Sequence, residues 1–111
     1  MSWPPPGLQE AVERAFNAIA SATAAGGMSF NDVMEIGKRE LESMRASVWG
    51  APAVQGLRNK LRDASGGLRQ QVDAHTAGGR PDLAARDRHC AELLEAIYNL
   101  GTRPFDGPRP R

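Results

Sequence analysis

Strand patterns are nearly missing from this chain of 111 residues. No run alternates β-branched with polar residues, which leaves an all-α fold. Cysteine is almost missing too. Cys90 stands alone, which excludes an intramolecular disulfide framework and fits a reducing cytosol. No apolar run approaches the roughly 18 residues of a membrane span, so no membrane partner is expected. The start, MSWPPPG, has neither a basic lead nor an apolar core and does not read as a signal peptide. Charge of one sign is lacking: the formal net charge is +1, so bulk electrostatics does not announce a nucleic-acid binder. Aromatics are few, whereas alanine, glycine and arginine are plentiful. Twelve of the fourteen basic residues are arginine, whose planar fork suits phosphate. A GC-rich coding sequence would raise the same residues.

The length fits one small domain, which a dimer interface would help to stabilise. The chain reads as a proline-rich extended lead-in over 1–6, a helical region over 7–75, a loop and C-terminal helix over 76–100, and a disordered tail over 101–111. Trp3 could pack on the bundle or stay loose. Helix one runs from Pro6 or Gly7 to Ala24, with Leu8, Ala11, Val12, Ala15, Phe16 and Ile19 on one stripe. Ala25-Gly26-Gly27 ends it, with glycine free to take a left-handed cap. Ser29 or Asn31 caps helix two, and the short loop makes the pair an antiparallel hairpin.

In helix two, Phe30, Val33, Met34, Gly37, Leu41, Met44 and Val48 recur at three- and four-residue spacing. Gly37 costs some helix stability but lets another helix approach closely. Two amphipathic helices cannot close a core alone. The natural partner of this stripe is a copy of itself, with Val33, Gly37, Leu41, Met44 and Val48 as the interface of a homodimeric four-helix bundle. The opposite face carries Asp32, Arg39, Ser43 and Ala46, flanked by Lys38 and Arg45. Trp49-Gly50-Ala51-Pro52 should bend or break the helix. It resumes near Ala53 and runs to Asp63. Ala64-Ser65-Gly66-Gly67 reads as a second break, Leu68 to Ala74 as a short helical turn, and Thr76 to Arg80 as a loop. Pro81 opens the last helix, which ends near Leu100. The window from Gly56 to Val72 is the most basic, with Arg58, Lys60, Arg62 and Arg69 against Asp63 alone.

Catalytic chemistry finds little support. His75, His89 and Cys90 are too few and too poorly spaced for a metal site. Adjacent helix residues point apart, so His89 does not serve Cys90 as a base. Glu40 and Glu42 read as a solvated face. Trp49 reads as an anchor in a core or interface. No strand precedes a glycine-rich loop, so no phosphate cradle is present. No enzyme, metal or cofactor is expected.

The segments LQEAVERAFNAIA, GMSFND and KRELESMRA stand in the order found in one viral family. Over about Leu8 to Val48 the chain resembles the silencing suppressors of insect nodaviruses, the small "B two" proteins encoded in a frame overlapping the polymerase. Arg14 matches an arginine of that family's first helix. Lys38, Arg39, Glu40, Leu41, Glu42 and Met44 match its basic pair, acids and apolar positions.

The resemblance implies a homodimeric four-helix bundle, with an added C-terminal helix here, that binds double-stranded RNA without reading sequence. A-form RNA hides its base edges and presents phosphates and 2′-hydroxyls at fixed spacing, so a flat helix pair can read its shape. The implied activity is suppression of host RNA interference in the host cytoplasm. Long duplexes would be shielded from Dicer, and small interfering duplexes from loading. A host Dicer-type nuclease remains open as a further partner. Arg39 takes the place of an RNA-contacting arginine, with Lys38 beside it. Ser43 and Ser47 take the places of small polar groups facing the backbone. Arg58, after a short shift, takes the place of the arginine at the far end, with Lys60 and Arg62 as neighbours able to replace it. Gly50, Pro52 and Gly56 depart from the family's continuous helix. The alternative reading is a small helical protein-interaction module of a GC-rich bacterium or phage.

Overall fold

The structure is a computed structural model that describes residues 6–100. The expected lead-in, apart from Pro6, and the expected tail lie outside them. Four helices follow in order: α1 (Leu8–Ala25), α2 (Phe30–Ala46), α3 (Ala51–Ala77) and α4 (Pro81–Leu100). The described residues contain no strand.

Local chemistry sets the ends of α1 and α2. Gly26 closes α1 at φ 77°, the left-handed cap expected. Ser29 caps α2, its Oγ accepting from the Asp32 N–H at 3.1 Å. After Ala46 the chain turns through Ser47-Val48-Trp49-Gly50, and Gly50 takes φ 60°, ψ −128°, a conformation a Cβ would oppose. Pro52 then sits in the first turn of α3, where its missing N–H costs nothing. The expected break between helix two and its continuation is therefore present, and α3 starts two residues earlier than expected.

The second expected break is not there. Helix α3 runs through Gly66-Gly67 without interruption. Each glycine disfavours helix by roughly 1 kcal/mol relative to alanine, but tertiary packing decides. Leu61 before the pair and Val72 after it are both buried. Ser65 is buried as well, its hydroxyl donating to the Arg62 carbonyl at 3.0 Å. Both glycines lie on the exposed side. The segment read as a separate turn at Leu68–Ala74 is thus part of α3, and the loop to α4 shrinks to Gly78-Gly79-Arg80. The boundary placed at 75–76 falls in the last turn of α3.

One core joins all four helices. Ile19 of α1, Leu41 of α2, Leu57 and Leu61 of α3 and Ile97 of α4 are its fully enclosed centre. Each such side chain contributes roughly 1.5–3 kcal/mol relative to exposure. Val33, Gly37, Leu41 and Met44 are all buried inside this single chain. The bundle that sequence reasoning assembled from two hairpins is closed here by α3 and α4. The ends of the α2 stripe stay outside: Phe30 is 56% and Val48 93% exposed.

Gly37 marks the closest approach. A Cβ built on it would lie 2.7 Å from Ile97 Cγ1 and Cγ2 and 2.8 Å from Cδ1. Ile97 is fully buried, so in a close-packed core its side chain shifts only by displacing its neighbours. Gly37→Ala should therefore destabilise the protein by about 1–2 kcal/mol in urea unfolding, because overpacking outweighs the gain in helix propensity. A more stable Gly37→Ala variant would mean that α2 does not pack on α4 this closely.

Candidate nucleic-acid interface

Seven polar or basic residues were singled out from the sequence, and the fold separates them. Lys38, Arg39 and Ser43 lie exposed on α2. Arg39 and Ser43, four residues apart, share one face. Neither Lys38 nor Arg39 has an ion-pair partner among the described residues. Glu35 and Glu42 stand one turn away, so the face is mixed in charge. Ser47 is used locally: its hydroxyl donates to the Met44 carbonyl at 2.6 Å and accepts from the Trp49 N–H at 3.3 Å.

The basic window on α3 is not one patch. Arg58 and Lys60 are two residues apart and point to different neighbours. Arg58 turns to α4, where its guanidinium carbon is 4.1 Å from the Tyr98 ring centroid. Its Nε also donates to the Tyr98 carbonyl at 3.4 Å. That carbonyl lies in the last turn of α4, where the helix dipole favours a cation. Lys60 turns to α1, with Nζ 5.7 Å from the Phe16 centroid. Arg62 stays exposed, 3.6 Å from Asp63. Arg69 is held by α4 through a two-point contact: Nη2 to Glu95 Oε1 at 2.7 Å and Nε to Oε2 at 3.0 Å.

Arg58 and Arg69 thus clamp α3 to α4. Sequence spacing could not show this, because their partners lie 40 and 26 residues away. The break at Ser47–Gly50 further means that Arg39 and Arg58 do not share one continuous helix. The accessible residues of the expected RNA face are Lys38, Arg39 and Ser43 on α2 and Arg62 on α3.

The histidine and cysteine weighed for chemistry, His75 and Cys90, lie where α3, α4 and the end of α1 meet. His75 Nε2 approaches the buried Asp87 at 3.3 Å. Cys90 donates to the Thr23 carbonyl at 3.4 Å. Burial pushes the Cys90 thiol up, the Asp87 charge pushes it further, and Arg86 partly opposes both. Such a thiol is protonated at neutral pH and a poor nucleophile. No cluster of three metal-ligating side chains occurs among the described residues. Sequence reasoning also missed an apolar groove between the starts of α1 and α3. Its only sequence signal was small Gly56 on the α3 face shared with Pro52, Asn59 and Lys60.

Comparison with known proteins gives no match: no protein family fits the chain, and no characterised sequence and no solved structure matches it.

Two outcomes are expected. Arg58→Ala should cost about 0.5–2 kcal/mol of stability. Added to Tyr98→Leu it should cost less than it does alone, because the ring contact is already gone and only the bond to the residue-98 carbonyl remains. Full additivity in a double-mutant cycle would deny the contact.

The second outcome concerns Glu95. The hydrogen bond from Arg69 and its charge hold the Glu95 carboxyl below the ordinary range, against a smaller opposing effect of burial. A lowered folded-state value stabilises above the unfolded value and is lost as pH falls through the folded one. Wild type should exceed Glu95→Gln in stability at neutral pH, and the difference should vanish in acid, below the usual carboxylate range. A difference unchanged with pH would contradict the pairing.

Proposed function

We propose that this protein binds double-stranded RNA independently of sequence, through the exposed face of α2, and so suppresses RNA interference in a host cytoplasm. The observation that carries this reading is the state of Lys38 and Arg39: both exposed, consecutive on α2, and without ion-pair partners among the described residues. The helix that bears them is pinned through Gly37 on Ile97. Ser43 adds a hydroxyl on the same face, and Ala46 keeps the face shallow farther along. A rigid, shallow helix with a cation on its face and a second flanking it can follow phosphates and 2′-hydroxyls across a minor groove.

In this reading the support for the RNA face comes from the chain's own α4. Arg58 and Lys60 act on the bundle rather than on the duplex. Arg62 is the α3 cation left to reach a phosphate. Of the five residues expected at an interface between copies, Val48 is the one still exposed. Coating would shield long duplexes from a Dicer-type nuclease and short ones from loading. The exposed Met28 and Phe30 at the α1–α2 turn favour a second reading, a helical module that docks another protein.

A gel-shift titration separates the two. The probe is a random-sequence RNA duplex of about 25 base pairs, longer than the roughly 16 covered by a common duplex-binding module. Single-stranded RNA and duplex DNA of the same sequence run beside it. Binding to the RNA duplex that weakens steeply with salt is expected. Lys38→Ala with Arg39→Ala should weaken it and lower the salt slope by about one for each phosphate that is no longer neutralised, with helix content unchanged. No binding to any of the three at low salt would contradict the proposal and leave the protein-docking module.

A further inference from the structure

Helices α1 and α3 run parallel, side by side. Val12 lies against Gly56, where a Cβ would stand 3.3 Å from Val12 Cγ2, and Phe16 lies beside Lys60, whose Nζ is 5.7 Å from the ring centroid. The four-residue step is the same on both helices, and their starts, at Leu8 and Pro52, stand together as well. Along this line runs an apolar, open groove of about 370 Å³. No residue of α2 or α4 lines it, so it is separate from the cationic face of α2.

Shape limits what fits. The contact of Val12 with Gly56 closes the floor, so nothing enters between the helices. The space is a shallow trough over their seam. From Pro52 to Lys60 is eight residues of helix, about 12 Å at 1.5 Å per residue. A long, narrow trough with a closed floor suits an unbranched chain lying along it rather than a ring inserted into it.

Charge limits it further. No acid lines the trough, and one cation does. Lys60 has no ion-pair partner among the described residues and only the Phe16 ring beside it. Glu13, one turn beyond Gln9 on α1, neither lines the trough nor pairs with Lys60. The amide oxygens on the α3 rim are spent. Gln55 Oε1 accepts from Arg58 Nη1 at 3.5 Å, and Asn59 Oδ1 accepts from Gln55 Nε2 at 2.9 Å. What α3 offers an occupant is therefore a pair of donors at one end, Asn59 Nδ2 and Lys60 Nζ.

We propose that this groove binds a free fatty acid of medium chain length. Its carboxylate, ionised at neutral pH, takes the Lys60 ammonium and the Asn59 amide N–H. Its chain runs over the seam, past Gly56, to Leu8 and Pro52. The ammonium and the carboxylate make a charge-assisted hydrogen bond, and each methylene laid on the apolar floor leaves water. An apolar wall with a few polar groups at one end is the usual build of a small-ligand site. This inference stands apart from the RNA reading, because Lys60 is not among the residues assigned to the duplex.

The test is an amide-resolved NMR titration of the full-length protein with sodium decanoate, kept below its micelle concentration. Saturable shifts are expected at the Leu8, Gly56, Asn59 and Lys60 amides, with those of Lys38 and Arg39 unmoved. Octanoate, two methylenes shorter, should bind several-fold more weakly. So should decyltrimethylammonium, which has the same chain length and the opposite charge. Lys60→Met keeps an apolar stem over Phe16 and removes the charge; helix content should stay unchanged while decanoate affinity falls several-fold. Gln9→Glu adds a carboxylate to the α1 rim, in a first turn where an acid suits the dipole, and should weaken decanoate as well. Absence of saturable shifts along the groove would overturn the proposal. Equal binding of decyltrimethylammonium would do the same, as would an affinity unchanged by Lys60→Met and Gln9→Glu. Shifts centred on Met28 and Phe30 instead would place the chain on that exposed apolar turn and overturn it too.

Discussion

The close approach of α2 to α4 at Gly37 and Ile97 is the constraint on which the rest depends. A glycine there lets the isoleucine side chain rest on helix backbone, so two amphipathic helices far apart in sequence meet over one core. That contact absorbs the middle of the α2 stripe and turns the opposite face outward. The orientation of Lys38, Arg39 and Ser43 follows from it, because residues on an α-helix cannot be re-aimed one at a time.

The basic residues show how a fold reassigns charge. In sequence, Arg58, Lys60, Arg62 and Arg69 look like one cluster. In space, Arg58 stacks on Tyr98, Lys60 leans over Phe16, and Arg69 grips Glu95. A guanidinium held by a ring, a helix-end carbonyl or a carboxylate must give up that partner before it meets a phosphate. The two adjacent cations on α2 carry no such cost among the described residues. They are a small part of the chain's basic total, which suits contact at chosen points rather than attraction by a strong overall field.

Local signals were legible and distant ones were not. Ser29, Gly26 and Pro81 each act within a turn of their own position, and the helix ends they imply are where the structure puts them. The break before Pro52 is local as well. Gly66-Gly67 misled because their cost is local while the packing that overrides it, Leu61 and Val72 on one buried side, is tertiary. The α2 stripe was legible as a buried surface, but its partner was not. Nothing in a periodic pattern says whether the covering helix is far along the same chain or in another copy. Arg58 fails for the same reason, since its ring partner sits on α4.

One chain closes its own core over the α2 stripe. Thermal unfolding followed by circular dichroism, at protein concentrations spanning about a hundredfold, tests it most directly. A core closed within the chain predicts a midpoint that does not move with concentration. If the stripe were covered by a second copy instead, dilution would lower the midpoint by mass action, and that result would place the covering helix in another chain.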